Sequence, residues 1–254
     1  MLDSGFGGYS SAALLFLAAS ALTAGLARGF SGFGGALIFV PLASAAIGPR
    51  LAAPLLLIID AVAAAGLIPN AWRYAARRDV GVMGLGAAIG VPLGAWLLTR
   101  ADPLAVRWGL AVAVTVLLLV LISGWRYHGR RTPFVTVGVG GLAGLLSGSA
   151  QIGGPPVVAF WLSSALSAEV VRANIVLYFA ISTVFSGAAY LAGGLITQSV
   201  LVLALFIGPT YGLGIYVGSR LFGLASEASF RWICYGLIAI AAAVSLPIFD
   251  WVLR

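Results

Sequence analysis

The sequence predicts an all-α polytopic membrane protein, built as an inverted repeat of two halves with five helical segments each. Three observations predict it. Of 254 residues, 61% are hydrophobic and 8% charged, and the mean hydropathy is +1.09. A soluble fold would have to expose apolar surface nearly everywhere, whereas bilayer spans use about 20 apolar residues each. Apolar segments also recur in two series of five. Finally, the opening pair of segments in each series is broken by glycines in the same order, about 119 residues apart.

The first series runs at roughly 10–27, 30–47, 51–72, 81–99 and 104–124. The second runs at roughly 133–148, 151–166, 170–192, 198–219 and 230–250. These limits divide the chain into a first transmembrane repeat over 1–125, a basic loop over 126–132 and a second repeat over 133–254. Asp3 and the lack of a basic start argue against a cleaved leader, so segment 10–27 is read as part of the mature domain. Small residues such as Gly86, Gly90 and Gly94, and Gly208, Gly212 and Gly214, mark helices whose backbones approach closely. Further likeness between the halves lies in Arg100 followed by Arg107-Trp108, and Arg220 followed by Arg231-Trp232.

The breaks are the most specific feature. The first reads Gly25-Leu-Ala-Arg28-Gly-Phe-Ser31-Gly32-Phe-Gly34-Gly35, and the second Gly144-Leu-Leu-Ser147-Gly-Ser149-Ala-Gln151-Ile-Gly153-Gly154-Pro155-Pro156. Segments this short either cross fully or form a re-entrant hairpin. The glycines favour the hairpin, because irregular backbone at depth survives only where protein or water covers it. Prolines directly after Gly153-Gly154 suit the first turn of a new helix. Two helix N-termini facing the membrane centre would direct N–H groups and positive dipole ends at an anion near the midplane.

Polar side chains gather at the same places. Arg28, Ser31, Gly32, Gly34 and Gly35 form the first candidate substrate-binding set, and Ser147, Ser149, Gln151, Gly153 and Gly154 the second. An arginine beside a glycine turn holds a carboxylate or sulfonate through paired hydrogen bonds. Asp60 is the other intramembrane charge. It reads either as an ion pair to Arg28 or as a proton-coupling carboxylate. Asn174, Tyr178 and Ser182, spaced by four, share a helix face; Asn174 and Tyr178 join the candidate substrate ligands.

Other features carry blander readings. The net charge of +7 comes from arginine alone, and the arginines lie mostly in short loops. That pattern orients spans in a membrane and does not mark a nucleic-acid surface. Placing the connections with Arg73, Arg77 and Arg78, and with Arg126, Arg130 and Arg131, in the cytoplasm puts nine arginines inside and four outside. Both termini then fall in the periplasm, and the second half is inverted relative to the first. Trp72, Trp108, Trp125, Trp232 and Trp251 read as an interfacial belt. Cys234 alone allows neither a disulfide nor a zinc site, and His128 sits among loop arginines.

The segments SGFGGALIFVPL and LLSGSAQIGGPPVVAFWL, with Gly90-Val-Pro-Leu-Gly94 ahead of Arg100 and Arg107, resemble the TauE/SafE sulfite-exporter-like family. That family is also called the toluene sulfonate uptake permeases. The resemblance covers nearly the whole chain. It implies movement of small sulfur-containing or organic anions, such as sulfite or sulfonates, across the bacterial inner membrane. The second break departs from the family's usual triple glycine, so the resemblance does not fix the substrate.

The reading is therefore an anion permease, with no catalytic residue, metal or cofactor. Its partners are a small anionic solute and the lipid bilayer, with no nucleic acid; oligomeric state is left open. The alternative is a proton-coupled carrier of another organic acid or a neutral solute. An integral-membrane enzyme is disfavoured by one His, one Cys and seven scattered acids, and no phosphate-binding glycine-lysine loop is present.

Overall fold

The structure is a computed structural model and describes residues 10–32, 34–221 and 227–246, the side chains of Ser31 and of residues 227–231 excepted. Regular structure among the described residues is helical: α1 Ser11–Ser31, α2 Gly35–Ile47, α3 Pro49–Ala64, α4 Ile68–Tyr74, α5 Arg77–Arg100 and α6 Pro103–Ser123, then α7 Pro133–Ala150, α8 Gly154–Trp161, α9 Ala168–Ala192, α10 Gln198–Leu221 and α11 Glu227–Ser245. Seven stretches among the described residues are long and apolar enough to cross a membrane, with α3 and α4 counted as one.

Helix starts follow local chemistry. Ser10, Thr132 and Ser167 accept hydrogen bonds from N–H groups three residues on, at Ala13, Val135 and Val170. Pro49, Pro103 and Pro133 occupy first helical positions, where no N–H is needed.

Two expected segments are shorter or more broken than the sequence suggests. The segment 51–72 is interrupted by a 3-10 turn at Ala65–Leu67. Pro69 has no N–H to give the Ala65 carbonyl, and the Ile68 N–H takes that oxygen instead, which makes the local turn 3-10. The segment 151–166 is helical only through Trp161. Beyond it, the Ser163 and Ser164 hydroxyls donate to the Phe160 and Trp161 carbonyls, which competes with helix continuation. At about 1.5 Å per residue, the 13-residue α2 rises about 20 Å and the 8-residue α8 about 12 Å. Neither reaches across a hydrocarbon core of about 30 Å.

The chain forms two compact units. One comprises residues 1–59, 101–118 and 196–254; the other comprises 60–100 and 119–195. Each therefore takes helices from both sequence halves.

In the first unit, α1 packs along α10, and α2 packs against both α1 and α11. The α1–α10 seam rests on glycine. A Cβ on Gly25 or Gly29 would strike the backbone of Tyr211 or Ile215, and one on Gly218 would strike Leu26. Gly214 takes part in this seam, whereas Gly212 faces open space and Gly208 meets only the Ile59 side chain. The tight half of α10 thus lies later than the sequence suggested. A cavity of about 690 Å³ is lined by the start of α1 (Ser10, Ala12), the end of α2 (Ser44, Gly48) and the start of α6 (Asp102, Arg107). The α1–α2 hairpin therefore starts and finishes at one end of its unit. Arg107 donates to the Ser245 carbonyl at 3.2 Å, which brings the end of α11 to the same place.

In the second unit, α5 lies against α7, and α9 packs on α4 and α5. Gly86, Gly90 and Gly94 meet the backbone of Val137, Gly141 and Leu145 so closely that a Cβ would overlap their carbonyl oxygens. Such backbone contact is how membrane helices gain packing where no water is expelled. The apolar core collects Val80, Met83 and Val91 with Phe160, Trp161 and Leu177. Arg131 donates to the Ser163 hydroxyl at 2.8 Å and lies over the Phe160 ring. The α7–α8 hairpin, too, starts and finishes at one end of its unit, beside the basic loop.

Candidate functional site

The two breaks share their helix boundaries and a left-handed residue after the first helix, and differ at the N-cap, where Gly34 has φ 92° and Gly153 φ −69°. α1 ends at Ser31 with Gly32 left-handed (φ 76°), and α2 begins at Gly35 after the N-cap Gly34. α7 ends at Ala150 with Gln151 left-handed (φ 59°), and α8 begins at Gly154 after the N-cap Gly153. Every one of these boundaries recurs 119 residues later, the spacing seen in the sequence. In each case three residues separate a finished helix from a new one.

At the first break the donors are plentiful. The Gly32 N–H closes the helix on the Arg28 carbonyl at 2.8 Å. The Arg28 guanidinium, half-buried, returns a bond to the Gly32 carbonyl at 3.0 Å. Arg28 therefore clamps the turn at whose tip its charge sits. Gly34 is itself left-handed (φ 92°) and its carbonyl accepts from Leu37 at 3.0 Å. Gly35 cannot be enlarged without displacing its surroundings: a Cβ there would lie 2.9 Å from the Ala24 carbonyl, 3.1 Å from Arg28 Cβ and 3.2 Å from the Tyr211 hydroxyl. The first-turn N–H groups of α2, at Gly35 and Ala36, carry the positive end of its dipole. The Ser31 side chain lies outside the described residues.

The second break is differently equipped. Helix α7 leaves its last carbonyls to be satisfied, and the side chains around it do so. Ser147 O accepts from the Gln151 backbone N–H at 2.8 Å and from its Nε2 at 2.9 Å. Gly148 O accepts from the Tyr190 hydroxyl at 2.8 Å. Leu146 O accepts from Ile152 N–H and from the Ser149 hydroxyl, both at 3.3 Å. Gln151 Nε2 also reaches the Tyr190 oxygen at 3.3 Å. The Ser149 and Gln151 side chains, expected to hold solute, are here engaged in finishing the helix. Gly153 fits because a Cβ would overlap the Ala143 carbonyl and the Ser147 hydroxyl. Pro155 and Pro156 remove two N–H groups from the first turn of α8, which leaves Gly154 as its leading donor. Of the two breaks, the first carries the cationic side chain and loses no first-turn N–H to proline.

Asn174 and Tyr178 share a buried face of α9, as their spacing implied, and both are 0% exposed. Asn174 Oδ1 and the Tyr178 hydroxyl turn to backbone, while Asn174 Nδ2 is buried without a hydrogen-bond partner. Asn174 Oδ1 accepts the Ala76 N–H at 2.7 Å, holding the elbow between α4 and α5. The Tyr178 hydroxyl donates to the Gly140 carbonyl at 3.0 Å, about 15 Å along α7 from its broken end. Neither is brought to the second break. Asp60 is half-buried, one turn before the end of α3. Tyr190 and Tyr211, which the sequence reading passed over, meet the breaks, as does Phe179 beside Gly154. No residue spacing announces them, because their partners lie far away along the chain.

Broken apolar hairpins, wholly helical regular structure and seven candidate spans among the described residues mark a multi-pass membrane protein. The sulfite exporter TauE/SafE family matches residues 17–245, most of the chain, and the protein belongs to that family. No curated protein and no solved structure matches it.

Proposed function

We propose that this transporter moves small sulfur-containing or organic anions, sulfite or sulfonates among them, across the bacterial inner membrane, and that its broken hairpins hold the solute. The observation carrying this reading is the twice-made break, with a guanidinium and donor-rich helix start at the first. Lengths support a location at depth. The rises of α2 and α8, about 20 and 12 Å, fall short of a core of about 30 Å, so helix starts reached from one surface would lie within it, although α1 and α7 are long enough to reach across. In this reading the hairpins are re-entrant and the two five-segment halves are inverted. Both termini are periplasmic, and the arginine-rich connections face the cytoplasm.

Ligand assignment follows the donors. Arg28, Gly32, Gly34 and Gly35, with Ser31 beside them, hold the anion's charge. Gly153 and Gly154 contribute backbone N–H groups, and Ser147, Ser149 and Gln151 shape the second turn. Asn174 and Tyr178 act on the solute indirectly, by fixing the helices that carry it. Anion flux into or out of proteoliposomes tests this. Arg28→Ala is expected to lower apparent affinity about tenfold or more, with Arg28→Lys recovering part of it and Arg100→Ala near wild type. Equal affinity in Arg28→Ala and Arg100→Ala would remove the assignment.

A second reading, a proton-coupled carrier of another organic acid or a neutral solute, is favoured by Asp60, a carboxylate within an apolar span.

A further inference from the structure

A cavity of about 450 Å³ opens between α4 and the start of α9, away from both breaks. Its polar lining is Asn70, Tyr74, Glu169 and Arg172, and its apolar lining includes Leu67 and Val176. Glu169 and Arg172, three apart on α9, are both exposed and occupy the same face. The cavity lies at the end of its helices, not at their middle. The Ala75–Ala76 elbow follows directly, pinned to Asn174, and the exposed Trp72, Arg73, Arg77 and Arg78 surround that elbow. Tryptophan and arginine together mark the depth of lipid headgroups.

We propose that this cavity is a phospholipid site selective for phosphatidylethanolamine, whatever solute the transporter carries. A zwitterionic headgroup presents a phosphate and a primary ammonium a few ångströms apart. Arg172 meets the phosphate through its forked donors, and Glu169 meets the ammonium. Asn70 and Tyr74 offer further hydrogen bonds, and Leu67 and Val176 line the path of the upper acyl chains. A small inorganic anion fits the cavity poorly: the volume is several times too large, and Glu169 repels it. An anionic lipid such as phosphatidylglycerol would satisfy Arg172 and meet the same repulsion.

Native mass spectrometry of the delipidated full chain, titrated with phosphatidylethanolamine or phosphatidylglycerol, reads the preference directly. Wild type is expected to retain phosphatidylethanolamine about tenfold better. Glu169→Gln should remove or reverse the preference, and Arg172→Ala should weaken both lipids. Both substituted residues are exposed, and a monodisperse elution profile in detergent confirms that each variant is folded. Equal retention of the two lipids by wild type would overturn the proposal. So would a Glu169→Gln variant that keeps the wild-type ratio, the result expected if Glu169 and Arg172 only pair with each other. Anion flux in the same variants separates this site from the breaks, since loss of lipid preference is expected with solute affinity unchanged.

Discussion

Gln151 is the one described residue other than glycine with a positive φ, and its setting explains why glutamine tolerates it. A left-handed backbone costs such a residue about 1–2 kcal/mol. The side chain offsets this by donating to Ser147 O and meeting the Tyr190 hydroxyl. Gln151→Gly relieves the backbone and loses those bonds, so its stability should stay within about 1 kcal/mol of wild type. Tyr190→Phe is different. Tyr190 is 0% exposed, and its loss strands the Gly148 carbonyl away from water. A destabilisation of about 1–3 kcal/mol is expected, read as a lowered thermal-unfolding midpoint in detergent. A Tyr190→Phe midpoint equal to wild type would show that the carbonyl finds another donor. Arg28 also belongs to this scale, since one side chain both clamps its turn and charges it.

Among elements, the α5–α7 pair is the most closely packed. Gly90 faces the Gly141 carbonyl and Leu145 N, with no room for a methyl group. Gly90→Val would force two backbones apart along a seam held by close packing. A loss of about 3 kcal/mol or more, or failure to fold, is expected. Gly109 on α6 faces open space, so Gly109→Val should melt near wild type. Comparable melting of both variants would contradict the backbone contact. The seams also show what composition conveys and what it leaves open. Small residues identified helices that pack closely. Which glycine faces which helix depends on rotation about the helix axis, and Gly212 and Gly218 differ in contacts while looking alike in sequence. The two breaks were legible because glycines recur in both, joined by arginine at the first and by paired prolines at the second, and each is costly inside an apolar helix. Tyr190 and Tyr211 were not, because an aromatic residue in an apolar helix carries no local mark of the distant carbonyl or glycine it meets.

Over the whole molecule, arginine placement and membrane energetics act together. With the cytoplasm negative, expelling a monoanion releases about 2.3 kcal/mol per 100 mV, so export of such a solute would need no coupling ion. Uptake needs a compensating cation, and we propose Asp60, a carboxylate within an apolar helix, as the coupling group. Asp60→Asn should abolish any dependence of uptake on an imposed pH gradient in proteoliposomes while leaving potential-driven efflux intact. Retained pH dependence would remove Asp60 from coupling. The basic connections also share an end of their unit, where Arg131 binds Ser163 and the Ala76 elbow binds Asn174.

Composition and the doubled glycine pattern alone determined that this chain is helical, lies in a membrane and breaks its helices twice at a spacing of 119 residues. Those properties are set by transfer free energy and by backbone permissiveness, both of which act locally. Tertiary structure alone decided that each compact unit mixes helices from both halves, that α7 is finished by Tyr190, and that Glu169 and Arg172 border a cavity with α4. Such contacts join residues far apart in the chain, and their geometry depends on how helices rotate and pack, which no local preference encodes.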